Sequence, residues 1–597
     1  MAPNNYAPGE PLLSNNATTS STGITQCLPP SYGSMSSPID KNDCHIDIRP
    51  SQEELDVDVQ DGVQQADAVN LVWSKGALAV AYCFIFMCSF ANTLQWQIMS
   101  NLMPYVVSEF SSHSLIPTIG IVASVMSGVL KLPVARMIDS WGRPQGLAAM
   151  ILLATTGLVL MAFSSNVKTY AASEVVYQIG ISGFSYVLDI IVADTSSLKN
   201  RSIAFAFNSS PALLTTFIGP VLAKLFYTYS TWRWAFVSSA VLFVIMSLPI
   251  LAILMGNVRK ARDRGLLAVA PKSEPWTAKR LSKVLKHNDA IGVVLITVGL
   301  TLILVPFSLT GSTSSEDLRT NAFLVFIGFN FMIIFTIHER YASRPILEFS
   351  LLFSRNVAGA CLLSITIFIA YFSWDGYYTS YLQVVHDLSI TEAGYIGHIY
   401  GLGSCIWAGV VGYLIRRSDR FKWIAWAALP VHILGGVAMI LVRRPDTHLS
   451  WLIGVQILIT IGGSSLIICC QMAVMSAASH GQLASALALF SLSSYIGSAM
   501  GSSLSGAIWN STLPGALADL LPDLSPVERA SIASDLAKQL SYPMGHPIRA
   551  AVIAAYDMAQ VRMCITGALV SLLEVLAVAI WRDVSVSGSS QVMGTVL

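Results

Sequence analysis

The sequence predicts an all-α polytopic membrane protein. Hydrophobic residues make up 54% of the chain and charged residues only 12%, whereas soluble domains carry about 25% charged residues. Mean hydropathy is +0.61. Apolar runs follow one another after residue 70, each close to the roughly 20 residues that a membrane-spanning helix needs. Such runs are too long and too continuous for barrel strands, so they predict helices.

Fourteen runs meet this length. With ends uncertain by a few residues, the predicted spans are 76–100, 115–137, 146–164, 170–193, 202–227, 233–256, 289–310, 321–339, 356–382, 392–415, 422–442, 450–475, 483–510 and 562–581.

The composition also excludes several classes of function. A net charge of +1 provides no basic field for nucleic acid. The nine cysteines form no CxxC pair and no cluster with histidine, so neither a disulfide framework nor a bound metal ion is predicted. We expect no cofactor.

The organisation of the chain follows from composition shifts between the runs. The first 70 residues are rich in Ser, Asn, Pro and acids, which predicts a disordered tail. The predicted parts are the tail 1–70, an N-terminal six-helix bundle 71–256, a basic cytoplasmic linker 257–288, helices 7–13 with the C-terminal bundle 289–510, an outer loop with short helices 511–561, and helix 14 with a short cytoplasmic tail 562–597.

The lysines and arginines of the loops predict the orientation. If the N-terminal tail is cytoplasmic, the inner loops carry 20 of these residues and the outer loops carry 9. The excess on one side agrees with the positive-inside rule. We therefore expect both termini in the cytoplasm.

Two motifs point to a carrier. The loop after helix two reads ARMIDSWGRPQG (135–146). It resembles the G-x-x-x-D-x-x-G-R-[KR] signature of the major facilitator superfamily through Asp139, Gly142 and Arg143, although Ala135 and Pro144 depart from it. The resemblance implies that this motif helps to latch the cytoplasmic side, through an aspartate near a helix N-terminus, which is a favourable arrangement of charge and helix dipole. Predicted helix five carries Gly219-Pro220, which resembles the Gly-Pro motif of proton-coupled members.

Longer segments narrow the resemblance. SFANTLQWQ (89–97), LDIIVADTSSLKNRSIAFAFNSSP (188–211), the stretch 376–423 and the last outer loop with HPIRAAVIAAYDMAQ (546–560) are similar to the fungal siderophore-iron transporters, a fourteen-helix branch of the superfamily. The resemblance implies a monomeric, proton-driven importer of ferric hydroxamate siderophores in the plasma membrane, or alternatively in an endosomal or vacuolar membrane. Iron then arrives only as its chelate, and no covalent chemistry is catalysed.

A carrier of so bulky a chelate needs aromatic faces and amide or hydroxyl groups around a wide cavity. For the tyrosines, an aromatic belt at the lipid interface is an equal alternative. For Tyr556, the alternative is a packing anchor on the bundle. The candidate substrate-binding residues are Asn92, Gln95, Gln97, Asn208, Ser209, Tyr377, Tyr378, Tyr381 and Tyr556.

Acids inside the spans are candidates for proton coupling, because an ionisable group in a membrane is costly and marks a functional site. Asp189, deep in helix four, ranks first, and Asp375, near the outer end of helix nine, ranks second. Lys131 and Lys224 leave open the alternative that an acid is a structural ion pair. His398 and His432 are interpreted as hydrogen-bonded structural histidines.

Two rivals to import stay open. One is a proton-antiporting exporter of drugs or glutathione-like compounds, and the other is a transporter-like sensor that signals through the tail. No motif decides the direction of transport or the siderophore. Asn510-Ser511-Thr512 matches a glycosylation acceptor, but it adjoins predicted helix thirteen and so lies close to the bilayer.

Overall fold

Helices form most of the computed structural model. It describes residues 65, 68–196, 204–205, 207–267, 289–309, 315–342, 353–477 and 483–584, without the side chains at 132, 135, 136, 138–140, 309, 315–318 and 483–485. The α-helices are α1 (Lys75–Glu109), α2 (Ile116–Trp141), α3 (Arg143–Ala162), α4 (Val167–Thr195), α5 (Pro211–Tyr229), α6 (Trp232–Asp263), α7 (Ala290–Leu309), α8 (Ser315–Tyr341), α9 (Arg355–Asp375), α10 (Tyr378–His386), α11 (Ile390–Gly397), α12 (Ile399–Ser418), α13 (Lys422–Val442), α14 (Leu449–Ala477), α15 (Leu483–Leu520), α16 (Pro526–Ser534), α17 (Leu536–Ser541), α18 (Pro547–Ser571) and α19 (Glu574–Ile580).

Within these described residues, thirteen stretches are long and apolar enough to cross a membrane. The predicted run 483–510 is not among them, although it forms the 38-residue helix α15. Helix α15 packs against α9 and α2, and its first three side chains lie outside the described residues. The total of fourteen crossings therefore stays a prediction, as do the positions of the termini.

Several predicted spans are broken into pieces, among them 562–581, which is divided at Leu572 and Leu573 between α18 and α19. The span 356–382 consists of α9, which ends at Asp375, and α10, which begins at Tyr378. The span 392–415 is divided at His398 between α11 and α12. A capping box in which Ser389 and Glu392 exchange hydrogen bonds begins α11 and satisfies two backbone groups that a helix end leaves free.

The helices pack as two groups that meet along two seams. In one seam α2 of the first six helices packs on α15, and in the other α5 packs on α11 and α12. The helices α7 and α8 pack on each other, and α7 also contacts α2 and α15. The two additional helices thus lie beside the first seam and leave the second one unobstructed.

The flanks of the predicted outer loop are longer helices than the sequence indicated. Helix α15 continues to Leu520, and α18 already begins at Pro547. Only the short helices α16 and α17 lie between them. Both long helices therefore extend beyond the apolar runs by which they were predicted.

Glycines allow α3 and α4 to approach closely. A Cβ added at Gly180 would lie 2.2 Å from the backbone nitrogen of Ala154, and one at Gly157 would lie 2.4 Å from the nitrogen of Tyr177. Small residues at such crossings let membrane helices form dispersion contacts that lipid cannot replace.

Replacing Gly180 by leucine is therefore expected to separate α3 from α4. Overpacking of this kind costs about 1–3 kcal/mol or more, so we expect a lower midpoint of thermal unfolding in detergent and less protein in the monodisperse peak of size-exclusion chromatography. Gly256→Leu is the matched control, because nothing lies within 4 Å of a Cβ at Gly256. Equal behaviour of the two variants would contradict this account of the packing.

Candidate functional site

A cluster of polar side chains surrounds Asp189 in the first group of helices. The Asn208 amide donates to Oδ1 of Asp189 over 3.0 Å, and the Ser89 hydroxyl donates to Oδ1 of Asn208 over 2.5 Å. One turn away, the Asn92 amide donates to the Ser185 hydroxyl over 3.0 Å. The structure thus brings together three of the predicted residues, Asn92, Asp189 and Asn208, from α1, α4 and the segment before α5.

Lys131 of α2 connects this cluster to the other group of helices. It is in electrostatic range of Asp189, and its ammonium group donates to the Ser491 hydroxyl of α15 over 3.3 Å. The ammonium also lies 5.9 Å from the centre of the Tyr186 ring. Asp189 and Lys131 are thus in electrostatic range of each other, and the alternative that an acid forms a structural ion pair with a lysine stays open. The same lysine contacts both sides of the α2–α15 seam.

The other polar residues predicted to bind substrate lie apart from this cluster. Gln95 is buried beside Tyr177 inside the first group of helices, and Gln97 donates to the Thr216 hydroxyl over 3.0 Å. Ser209 is exposed. Substrate contact by these residues stays a prediction.

The Gly219-Pro220 motif lies where α1, α5 and α11 meet. A Cβ on Gly219 would lie 2.3 Å from Cβ of Gln97, and one on Gly394 of α11 would lie 2.7 Å from Cβ of Pro220. Gly219 therefore permits close contact between α5 and α1, and Gly394 permits close contact across the α5–α11 seam. Nearby, Nε2 of His398 is 3.2 Å from the Asn101 amide of α1, so His398 is hydrogen-bonded.

Aromatic side chains close the end of the bundle that the loop charges predict to be outer. The Tyr377 ring stacks on Trp509 with 3.8 Å between centroids and 9° between planes. His113, which follows α1, packs against both rings at 5.7 and 6.0 Å. The Tyr377 hydroxyl donates to the carbonyl of Ser114 over 3.1 Å. We call Tyr105, His113, Tyr377, Gln383 and Trp509 the outer closure, since Tyr105 also donates to Gln383 across the two groups.

The segment between α15 and α18 covers this closure. The backbone nitrogen of Leu536 donates to the Ser108 hydroxyl over 3.0 Å, and Tyr556 donates to Oε1 of Gln539 over 2.7 Å. The Tyr556 ring packs edge-on against Trp509 at 4.9 Å. Tyr556 is thus a packed anchor here, which is the alternative that the sequence left open for it.

None of the predicted tyrosines lies in a lipid-facing belt. All four have no exposed surface, namely Tyr377, Tyr378, Tyr381 and Tyr556. Their hydroxyl groups and rings contact protein, so in this conformation they neither face lipid nor line an open cavity. Binding of a substrate by these residues requires the outer closure to open.

Removing the Trp509 side chain is expected to loosen the outer closure, because Tyr377, His113 and Tyr556 all pack on it. In a Trp509→Ala variant we expect a cysteine introduced at Ser114 to react several-fold faster with a membrane-impermeant thiol reagent, as measured by peptide mass spectrometry. Trp451→Ala is the control, since Trp451 is 68% exposed. An unchanged rate at Ser114→Cys would remove Trp509 from the closure.

Arg443 is a buried cation that the sequence reasoning treated only as a loop charge. It directly follows α13 and has no exposed surface. Its guanidinium lies 4.2 Å from the Tyr378 ring centre and 4.4 Å from that of Trp374, a cation–π arrangement, and donates to Oε1 of Gln560 over 2.8 Å. Asp375, at the end of α9, lies in electrostatic range of it and beside Tyr371. No sequence signal distinguishes Arg443 from its exposed neighbour Arg444.

The candidate latch is described in part. Gly142 has a φ of +99°, a backbone conformation that favours glycine, and makes the turn between α2 and α3. Arg143 forms an ion pair with Asp194 over 3.1 Å. The Asp139 side chain lies outside the described residues.

Comparisons with known proteins agree on one family. The family model described as Major Facilitator Superfamily matches residues 85–502. The chain is 40% identical to "MFS siderochrome iron transporter 1" of Ajellomyces capsulatus over 92% of this chain and 93% of that protein. It is 40% identical to "MFS siderochrome iron transporter D" of Aspergillus fumigatus over 89% of each chain. It is 35% identical to "Siderophore iron transporter mirB" of Emericella nidulans over 90% of this chain and 89% of that one.

Solved structures share the fold at low identity. A bacterial homologue of the human lysosomal transporter Spinster superposes with a TM-score of 0.54 at 13% identity, covering 85% of this chain and 98% of that one. A peptide transporter POT in complex with alafosfalin gives 0.52 at 12% identity, covering 87% and 99%. These likenesses concern the fold alone.

Proposed function

The chain belongs to the major facilitator superfamily and, within it, to the fungal siderophore-iron transporters, and we propose that it imports ferric hydroxamate siderophores together with protons. The names of its relatives support the substrate class. The proposal adds the hydroxamate class, the inward direction and the proton. It also assigns the protein to the plasma membrane as a monomer that holds no cofactor of its own.

The observation that carries proton coupling is the connection from Asp189 through Lys131 to Ser491. Asp189 lies in the first group of helices and Ser491 lies in the second. Lys131 interacts electrostatically with the Asp189 carboxylate and donates a hydrogen bond to the Ser491 hydroxyl. When Asp189 binds a proton, the charge that attracts Lys131 disappears. The balance of contacts at the α2–α15 seam then changes, and a change at this seam is what movement of one bundle against the other requires.

The proposed cycle begins with an opened outer closure. A ferric chelate, whose hydroxamates already fill the coordination sphere of iron, needs no metal ligand from the protein. Aromatic faces and amide groups are suited to its ring, and opening would free Tyr377 and Trp509 for stacking. Asn92 and Asn208, beside Asp189, are proposed to hydrogen-bond the chelate deeper in the path.

Closure behind the chelate then restores the contacts seen here. Tyr377 stacks on Trp509 and donates to the Ser114 carbonyl across the two groups. Release on the other side completes alternating access. Since the proton moves with the chelate, a pH gradient across the membrane that is acidic on the outside drives uptake.

The proposal is tested by supplying radio-iron as a panel of ferric hydroxamates to yeast that lacks its own siderophore carriers. We expect accumulation from at least one chelate, and loss of that accumulation with a protonophore. Cells that carry the empty vector give the background. A surface-localised protein that accumulates nothing across the panel would favour the exporter or the sensor, and accumulation that survives the protonophore would remove the proton.

A further inference from the structure

The second group of helices contains a buried acid–histidine pair that the cycle above does not use. Nδ1 of His432, in the middle of α13, lies 2.9 Å from Oε2 of Glu574, the first residue of α19. The side chains are 7% and 0% exposed. Burial of an ionisable pair costs desolvation free energy, and ionisable groups inside a membrane protein usually mark a functional site.

A small cavity lies beside His432 in the same group of helices. It is lined by His432 and, among others, by Tyr371, Trp374, Met439, Cys564 and Ser571. The lining residue Trp374 packs on the Arg443 guanidinium, which is in electrostatic range of Asp375. The cavity therefore has the His432 imidazole on its wall and a contact to Arg443 through Trp374.

Titratable groups from several helices surround the pair. Tyr400 of α12 and Cys470 of α14 are in electrostatic range of Glu574. A Cβ on Gly463 of α14 would lie 2.8 Å from the Tyr400 hydroxyl and 3.4 Å from Cδ2 of His432, so the two groups face the same narrow space. The Tyr371 ring of α9 lies 4.9 Å from that of Tyr400, and Cys564 of α18 lines the cavity.

We propose that His432 and Glu574 form a proton-binding site in the second group of helices, reached through the cavity beneath Trp374. The site rests on the proposed proton symport and adds a second proton carrier to Asp189. A proton entering from cavity water converts neutral imidazole to imidazolium, held by the Glu574 carboxylate. The occupied pair has no net charge, whereas the empty pair carries one negative charge. Leaving the site returns the proton to water and restores neutral imidazole.

The charge of the pair connects the proton to the conformational change. A buried net charge is unfavourable in a closed, dry bundle, so the occupied pair is compatible with the closed outer half and the empty pair is not. Gly463 keeps Tyr400 beside His432, and Tyr371 extends the line of hydroxyl groups toward Asp375. Hydroxyl groups both donate and accept, so they suit the passage of protons along the cavity wall.

The test uses Glu574→Gln in the full-length protein, assayed in the yeast that tests import. Glutamine keeps the shape and a hydrogen bond to His432 but has no negative charge to hold a protonated imidazole. We expect protonophore-sensitive accumulation to fall at least about tenfold, while exchange of internal for external chelate, which needs no net proton movement, is retained. Glu174→Gln is the matched control, because Glu174 is also an intramembrane acid and only 5% exposed; it should accumulate like the unmodified protein.

The outcomes separate the two proposals. If the unmodified protein shows no proton-dependent accumulation, the proposed function fails. If it does, and Glu574→Gln accumulates equally, the site at His432 and Glu574 is overturned while import stands. Loss of both accumulation and exchange at normal surface level also overturns it, since that pattern indicates a structural pair.

A measurement on the unmodified protein covers the case in which Glu574→Gln does not assemble. Diethyl pyrocarbonate modifies only unprotonated imidazole, and peptide mass spectrometry can follow His432 against His448, which lies in the loop before α14. A proton site reached by water predicts that modification of His432 rises with pH relative to His448. A histidine that is unreactive at every pH, or whose ratio to His448 is constant, contradicts the proposal.

Discussion

Replacing Asp189 by asparagine is expected to abolish protonophore-sensitive accumulation of the ferric chelate. Asparagine can accept the same hydrogen bond from Asn208, but it has no charge and does not bind a proton. Lys131, which contacts α15 across the seam, then no longer interacts with a negative charge at position 189. One proton moving down about one pH unit carries about 1.4 kcal/mol, enough for about tenfold accumulation. We therefore expect at least that loss in radio-iron uptake at equal surface expression.

A second substitution separates coupling from assembly. The single variant leaves Lys131 without the nearby negative charge of Asp189, so the surface level of the protein is expected to fall as well. Asp189→Asn combined with Lys131→Gln is expected to recover surface level but not accumulation. Asp375→Asn is the comparison with the second candidate acid, for which a smaller loss is expected. Uphill accumulation by Asp189→Asn at the level of the unmodified protein would remove Asp189 from proton coupling.

The second large effect is expected at Arg549, which fastens the outer segment to the bundle. Its buried guanidinium donates to the carbonyls of Gln383 and Val384 at 3.1 and 3.0 Å and to those of Gln539 and Tyr542 at 3.0 and 3.3 Å. Each buried carbonyl left without a donor costs about 1–3 kcal/mol. In Arg549→Ala we expect a markedly lower midpoint of thermal unfolding in detergent and poor delivery to the cell surface.

Matched variants test whether the cause is the hydrogen bonds or the charge. Arg549→Lys keeps the charge but loses the planar fork of donors, so we expect an intermediate midpoint. Arg444→Ala removes an exposed arginine from the neighbouring outer loop and should behave like the unmodified protein. If Arg549→Ala and Arg444→Ala unfold at the same temperature, the carbonyl contacts do not stabilise the outer segment.

The class of fold was predictable from the sequence, because the length and hydropathy of an apolar run identify a membrane helix. Every predicted run forms helix over most of the residues that the structure describes. The bounds were less predictable. Helix α9 ends at Asp375, and the backbone leaves the helical conformation at Tyr377, with a φ of −112° and a ψ of 11°. Helix α15 extends to Leu520, beyond its apolar part. Hydropathy indicates whether a helix lies in apolar surroundings. It does not indicate the residue at which the backbone hydrogen bonds of the helix end.

Parts of the candidate site that depend on a single unusual residue were predictable from the sequence. Parts that depend on a contact between residues far apart in the chain were not. Asp189 is conspicuous as an acid in an apolar run, and the structure adds its partners Asn208 and Lys131. The pairing of His432 with Glu574 joins positions 142 residues apart, which no local pattern encodes. The four tyrosines fit a lipid belt or a protein interior equally well in sequence, since both place the ring in apolar surroundings.

The central claim is that a proton gradient drives the chelate inward, and purified protein in liposomes tests it most directly. With the outside made acidic by about one pH unit, we expect the ferric hydroxamate selected by the yeast panel to accumulate inside about tenfold for each coupled proton. A pH indicator inside should acidify only when the chelate is present. Equilibration of the chelate without accumulation, or accumulation that is unchanged when the gradient is reversed, would contradict proton-driven import.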